Sequence, residues 1–82
     1  MIYPMTMKIR LVFHGSLKKY NNNLAEIEHE ISKGTTVGQL IARLEVPKEA
    51  IAFVAVNGSR SALNQRLAGG DEVKLFQLVG GG

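Results

Sequence analysis

Few residues of this 82-residue chain are arranged to do chemistry by themselves. His14 and His29 have no second ligand at metal spacing, and their neighbours suit turn and sheet-face roles. Ser16, Ser32, Ser59 and Ser61 sit near turn formers, with no base arranged to activate them. Glu26, Glu28 and Glu30 alternate along a single face, as in a solvated row. The chain has no cysteine, which excludes disulfides, thiolate metal sites, iron–sulfur ligation and cysteine nucleophiles. No metal site and no bound cofactor are expected. What is left is the chain end. Gly80-Gly81-Gly82 follows Phe76-Gln77-Leu78-Val79 without a linker, and its one reactive group is the Gly82 carboxylate. A carboxylate is a poor electrophile until one of its oxygens becomes a leaving group. That activation needs ATP bound by a partner, because this chain has no glycine-rich phosphate loop opening a helix. Glycine allows close backbone approach inside a narrow channel. Residues 79–82, fully extended, reach about 13–14 Å into such a channel.

A body that presents this end must be small. A chain of this length buries roughly 60–65% of its unfolded surface. It has room for one sheet and one or two helices, but not for a deep catalytic cleft. The formal charge is +3 with Lys and Arg scattered, which favours solubility over nucleic-acid binding. The start, MIYPMTMKIR, lacks the apolar centre of a signal peptide, and no apolar run approaches a membrane span. A cytoplasmic protein without membrane contact is the expectation.

The hydrophobic period locates the elements. Residues 1–6 read as a loose leader, with Met7 an alternative start, residues 7–78 as the domain, and residues 79–82 as a flexible glycine tail. Met7, Ile9, Leu11 and Phe13 alternate with Lys8, Arg10 and Val12, which predicts a half-buried strand. A turn through Gly15 and Asn21-Asn22-Asn23 follows, pinned by Leu17 and Tyr20. Ala25, Ile27, His29 and Ile31 then alternate with the three glutamates, so the two runs predict a hairpin with carboxylates facing Lys8 and Arg10. From Val37 the period becomes helical: Thr36 and Gln39 form a capping-box pattern, and Pro47 stops a helix over about residues 36–45. Residues 50–56 read as a buried strand closed by Asn57-Gly58, a strong hairpin signal. A short strand anchored by Leu63 and Leu67, a Gly69-Gly70-Asp71 turn and a last strand complete the chain. In that strand Val73, Leu75 and Gln77 point inward, and Lys74, Phe76 and Leu78 outward.

This order carries a resemblance. GTTVGQLIARL (34–44), VAVNG (54–58), LAGGDEV (67–73) and the terminal glycines resemble the MoaD/ThiS family of ubiquitin-like sulfur carriers. The resemblance covers about residues 7–82. The first strand with GSLKKY is similar to the small subunit of molybdopterin synthase, and KLFQLVGGG to the thiamine-pathway carrier. The implied fold is α+β: a β-grasp, ubiquitin-like domain with a mixed four- to five-stranded sheet and one main helix on one face. The implied protein is a co-substrate rather than an enzyme. An E1-like adenylyltransferase uses ATP and magnesium to adenylate Gly82, with Gly81 beside it and Val79 and Gly80 threading the partner's channel. A desulfurase or rhodanese-type donor supplies sulfur, and an acceptor synthase consumes the thiocarboxylate. Phe76 and Leu78 are the expected docking patch, with Arg10, Arg60 and Arg66 at its rim. Two alternatives stay open: a protein modifier conjugated through the same Gly82, and a β-grasp RNA-binding or regulatory module. The pathway also stays open between molybdopterin, thiamine, amino-acid and tRNA thiolation chemistry.

Overall fold

The computed structural model describes residues 5–78. Strands β1 (Thr6–Phe13), β2 (Glu26–Ser32), β3 (Ile51–Val56), β4 (Ser59–Ser61) and β5 (Glu72–Gln77) form one sheet in the order β2-β1-β5-β3-β4. The first and last strands, β1 and β5, run parallel at its centre, and the other pairings are antiparallel. Helix α1 (Val37–Leu44) lies between the two hairpins in sequence. This is the β-grasp arrangement.

Alternation sets the two faces of the sheet. Ile9, Leu11 and Phe13 of β1, Val54 and Val56 of β3, and Val73 and Leu75 of β5 are buried in one cluster with Val37, Leu40 and Ile41 of α1. Each fully buried aliphatic side chain contributes roughly 1.5–3 kcal/mol, which is how an eight-residue helix, too short to persist in water, is held. Both halves of the expected capping box form: Gln39 N–H donates to Thr36 Oγ1 at 3.2 Å, and Thr36 N–H donates to Gln39 Oε1 at 2.9 Å. Asn57 and Gly58 both have positive φ, 52° and 85°, as a tight two-residue hairpin turn demands.

Several expectations need correction. The strand begins at Thr6, which pairs with Ser32, and Met5 C=O accepts the Lys33 N–H at 2.8 Å. Met5 and Thr6 therefore belong to the hairpin rather than to a leader. Residues 1–4 and the tail, residues 79–82, lie outside the described residues. The segment Gly15–Asn21 is a 3₁₀ helix rather than an open turn, with Leu17 buried beneath it. Helix α1 stops before Pro47, because Glu45 adopts a left-handed conformation at φ 59°. Leu63 is 50% exposed and anchors through its backbone: its C=O accepts the Gly38 N–H at 2.8 Å. Val12 lies on the outer face yet is 8% exposed, since it sits between Glu26 of β2 and Lys74 of β5 in register, whose aliphatic stems flank it. The run Ile51–Val56 is buried only over its second half, with Ala52 and Phe53 exposed.

Candidate docking face and chain exit

The face of the sheet opposite α1 has no covering layer among the described residues. Parallel pairing of β1 with β5 aligns Phe13 with Leu75 on the core side. The next residues, His14 and Phe76, therefore meet on the open side. Their rings stack, with centroids 4.3 Å apart and planes 8° from parallel. Antiparallel pairing of β3 with β5 sets Phe53 opposite Phe76, with centroids 4.5 Å apart. Arg60 of β4 places its Cζ 5.2 Å from the Phe53 ring centroid. A row His14–Phe76–Phe53–Arg60 thus crosses four neighbouring parts of the sheet. Its stacked and cation–π contacts each contribute about 0.5–1.5 kcal/mol beyond simple burial. His14 Nε2 is buried and has no hydrogen-bond partner among the described residues.

The chain leaves the sheet beside this row. Gln77 is half-buried at the end of β5, where its side-chain Oε1 accepts a short hydrogen bond from the Ser16 N–H. Gly15 has φ +58°, and a Cβ there would displace the Gln77 amide, so glycine is favoured at this crossing. The Leu78 N–H donates to Ala50 C=O at 2.9 Å, while its side chain is 58% exposed. Leu78 is thus tethered by its backbone, with its apolar side chain presented to solvent.

The expected docking residues separate into three groups. Phe76, Arg60 and Leu78 fall in or beside the row. Phe76 faces outward as expected, but it is half-buried between two rings rather than free. Arg10 is on the same face, four residues and about 13 Å down the strand from the row, where it contacts Glu26 and Glu72 at 4.0 and 3.7 Å. Arg66 forms an isolated bridge with Thr36 and so lies at the start of α1, not on the open face. His14 and Phe53 were missed as members of the row. Alternation from Phe13 and Val54 already puts both on the outer face; the missing information was which strands are neighbours. Val79, Gly80, Gly81 and Gly82 lie outside the described residues. Among the described residues no cluster of His, Asp or Glu could hold a metal, and no helix is long and apolar enough to cross a membrane.

A β-grasp sheet with an outer aromatic row and a chain end emerging next to it defines a ubiquitin-like protein. The pattern of the ThiS family matches residues 18–82, and the chain belongs to that family. A search of curated protein sequences gives no match. Among solved structures, the HVO 2177 protein of Haloferax volcanii superposes with a TM-score of 0.78 at 23% identity, covering 94% of this chain and 88% of that one. A putative molybdopterin converting factor subunit 1 from Pyrococcus furiosus gives 0.72 at 24%, covering 89% and 99%. The small archaeal modifier protein 1 of H. volcanii gives 0.69 at 21%, covering 85% and 95%. Subunit 1 in the complex of subunits 1 and 2 of molybdopterin-converting factor from Helicobacter pylori is also similar, at 0.61 and 23%, covering 93% and 100%.

Proposed function

We propose that this protein is a cytoplasmic sulfur carrier that works through the Gly82 carboxylate. The observation that carries this reading is the family match over residues 18–82, which runs through the terminal glycines. An E1-like adenylyltransferase binds the open face near Phe76 and Leu78. Using ATP and magnesium, it joins the carboxylate to AMP and releases pyrophosphate. The outer sulfur of a persulfide on a desulfurase or rhodanese-type donor attacks the acyl carbon and AMP leaves. A thiol reductant then cleaves the resulting acyl disulfide, which frees the donor thiol and leaves Gly82 as a thiocarboxylate for an acceptor synthase. The chain itself supplies position: the central strand β5 leads straight into the tail in sequence, and residues 79–82 add no side chain wider than that of Val79.

A second reading is favoured by the likeness to small archaeal modifier protein 1: the same acyl-adenylate is taken by a lysine amine to give an isopeptide. Activation is common to both. Pyrophosphate exchange with the cognate activating enzyme tests that step, and intact mass of protein from its native host separates the two fates. Replacement of one oxygen by sulfur indicates the carrier, and covalent conjugates indicate the modifier.

Removing Gly81 and Gly82 should abolish exchange while stability stays within about 0.5 kcal/mol, and Gly82→Val should do nearly as much damage by widening the end. Exchange by the truncated chain equal to that of the full chain would sink the proposal. For docking, Leu78→Ala is a cleaner probe than Phe76→Ala, since only its exposed side chain changes. It should weaken binding to the activating enzyme with little loss of melting temperature.

A further inference from the structure

We propose that the outer edge of β3 receives an extended, acidic peptide segment of a partner protein, added as a short extra strand. Strand β4 pairs with β3 only over Val54, Ala55 and Val56. Beyond Ser61 the chain turns away toward α1, where the Leu63 C=O meets the Gly38 N–H. Among the described residues, no strand pairs with Ile51, Ala52 and Phe53 on that side of the sheet. The gap so opened is a groove of about 280 Å³, with Ile41 of α1 and Leu63 among its apolar lining. Ala52 and Phe53 are exposed along it.

Two features identify the occupant. An unpaired edge offers main-chain N–H and C=O groups in the spacing of a β-ladder, which only another extended backbone matches. Among the described residues, the charged side chains lining the groove, Lys48 and Arg60, are both basic, and none is acidic. The free edge is three residues, about 10 Å long, and a register shift between Ile51 and Phe53 on the β5 side bends it. So short an edge makes few ladder bonds. An apolar side chain on Leu63 and Ala52, with carboxylates meeting Lys48 and Arg60, must supply the rest, which selects a segment alternating apolar and acidic residues. This groove shares Phe53 and Arg60 with the aromatic row and lies across β3 from β5, the strand that carries the chain exit. The inference does not depend on the carrier reading, and its test uses neither the glycine end nor an activating enzyme.

The probe is a short peptide of alternating valine and glutamate, blocked at both ends, titrated into the isotope-labelled full chain while amide resonances are followed. Saturable shifts should centre on Ile51, Ala52, Phe53 and Leu63. Lys48→Glu and Arg60→Glu, each checked by a thermal melt, should weaken binding roughly tenfold or more, as loss of paired charges in a small interface does. A peptide with lysine in place of glutamate, and one with N-methyl groups along its backbone, should fail to bind. The proposal is overturned by absence of saturable shifts, by shifts confined to β2 or to the His14–Phe76 row, or by equal binding of the lysine or N-methyl peptide. It is equally overturned if Ile51–Phe53 amides shift with protein concentration alone, since a second copy of the chain would then hold the edge.

Discussion

The open face of the sheet has two halves built on opposite principles. At the hairpin end, Lys8, Arg10, Glu26, Glu28 and Glu72 form a lattice of exposed charges. Lys8 contacts Glu28 at 3.6 Å, and Glu72 is shared between Arg10 and Lys74. The β1–β2 pairs, Lys8–Glu28 and Arg10–Glu26, run diagonally, since Lys8 stands opposite Glu30 and Arg10 opposite Glu28 in the ladder, and sheet twist brings the diagonal neighbours close, whereas Arg10 and Glu72 are in direct register. At the exit end, rings replace charges: His14, Phe76 and Phe53 stack across three strands. The first half gains little from its contacts, since exposed ion pairs are worth about 0–1 kcal/mol. It keeps β2, an edge strand, soluble and disfavours edge pairing by other chains. The second half removes apolar ring surface from water, yet leaves part of it exposed. One face thus combines a charged end with an aromatic one, and β5 ends at the aromatic end.

The largest expected effect tests whether the row holds the fold as well as presenting it. Phe76→Ala removes the middle ring of three and should cost about 2 kcal/mol, less than the 3–5 kcal/mol of a fully buried phenylalanine and more than a surface change. At roughly 4–8 °C per kcal/mol for so small a domain, a thermal melt resolves it. A loss below about 0.5 kcal/mol would make the row a surface ornament and erase the contrast between the halves.

Gly15→Ala comes next, at about 1–2 kcal/mol, because it forces a left-handed alanine and pushes the Gln77 amide away from the Ser16 N–H. Denaturant unfolding measures the loss, and the Ser16 amide resonance should move. A neutral result would show that the exit end adapts as freely as the charged end. The smallest effect belongs to the lattice. A double-mutant cycle on Lys8 and Glu28 should give a coupling of about 0.5 kcal/mol or less, fading at about 1 M salt, where the screening length is near 3 Å. A coupling well above 1 kcal/mol that survives salt would make the charged half a structural one too.

Much of this was legible in the sequence, because its causes are local. The change of period at Val37, the Thr36–Gln39 capping box, the Asn57-Gly58 turn and the alternation of β1 and β5 each involve residues within a few positions of one another, and all appear as expected. The inner and outer faces of β5 followed from the same alternation. The composition of the row did not. His14 and Phe76 lie near opposite ends of the chain, and only the parallel pairing of β1 with β5 brings their rings together. That pairing is a long-range event with no turn or local motif to announce it, and a one-residue slip in its register would reverse every side chain. The same cause explains the arginines. Three identical side chains look equivalent along the chain, but Arg60 reaches the row, Arg10 is held among glutamates and Arg66 lies beside the start of α1. Residue types and local spacing thus determined the main strands, the α-helix and its cap. Only tertiary structure decided which side chains share a surface, because strand neighbours are chosen by burial of the whole core rather than by any segment alone.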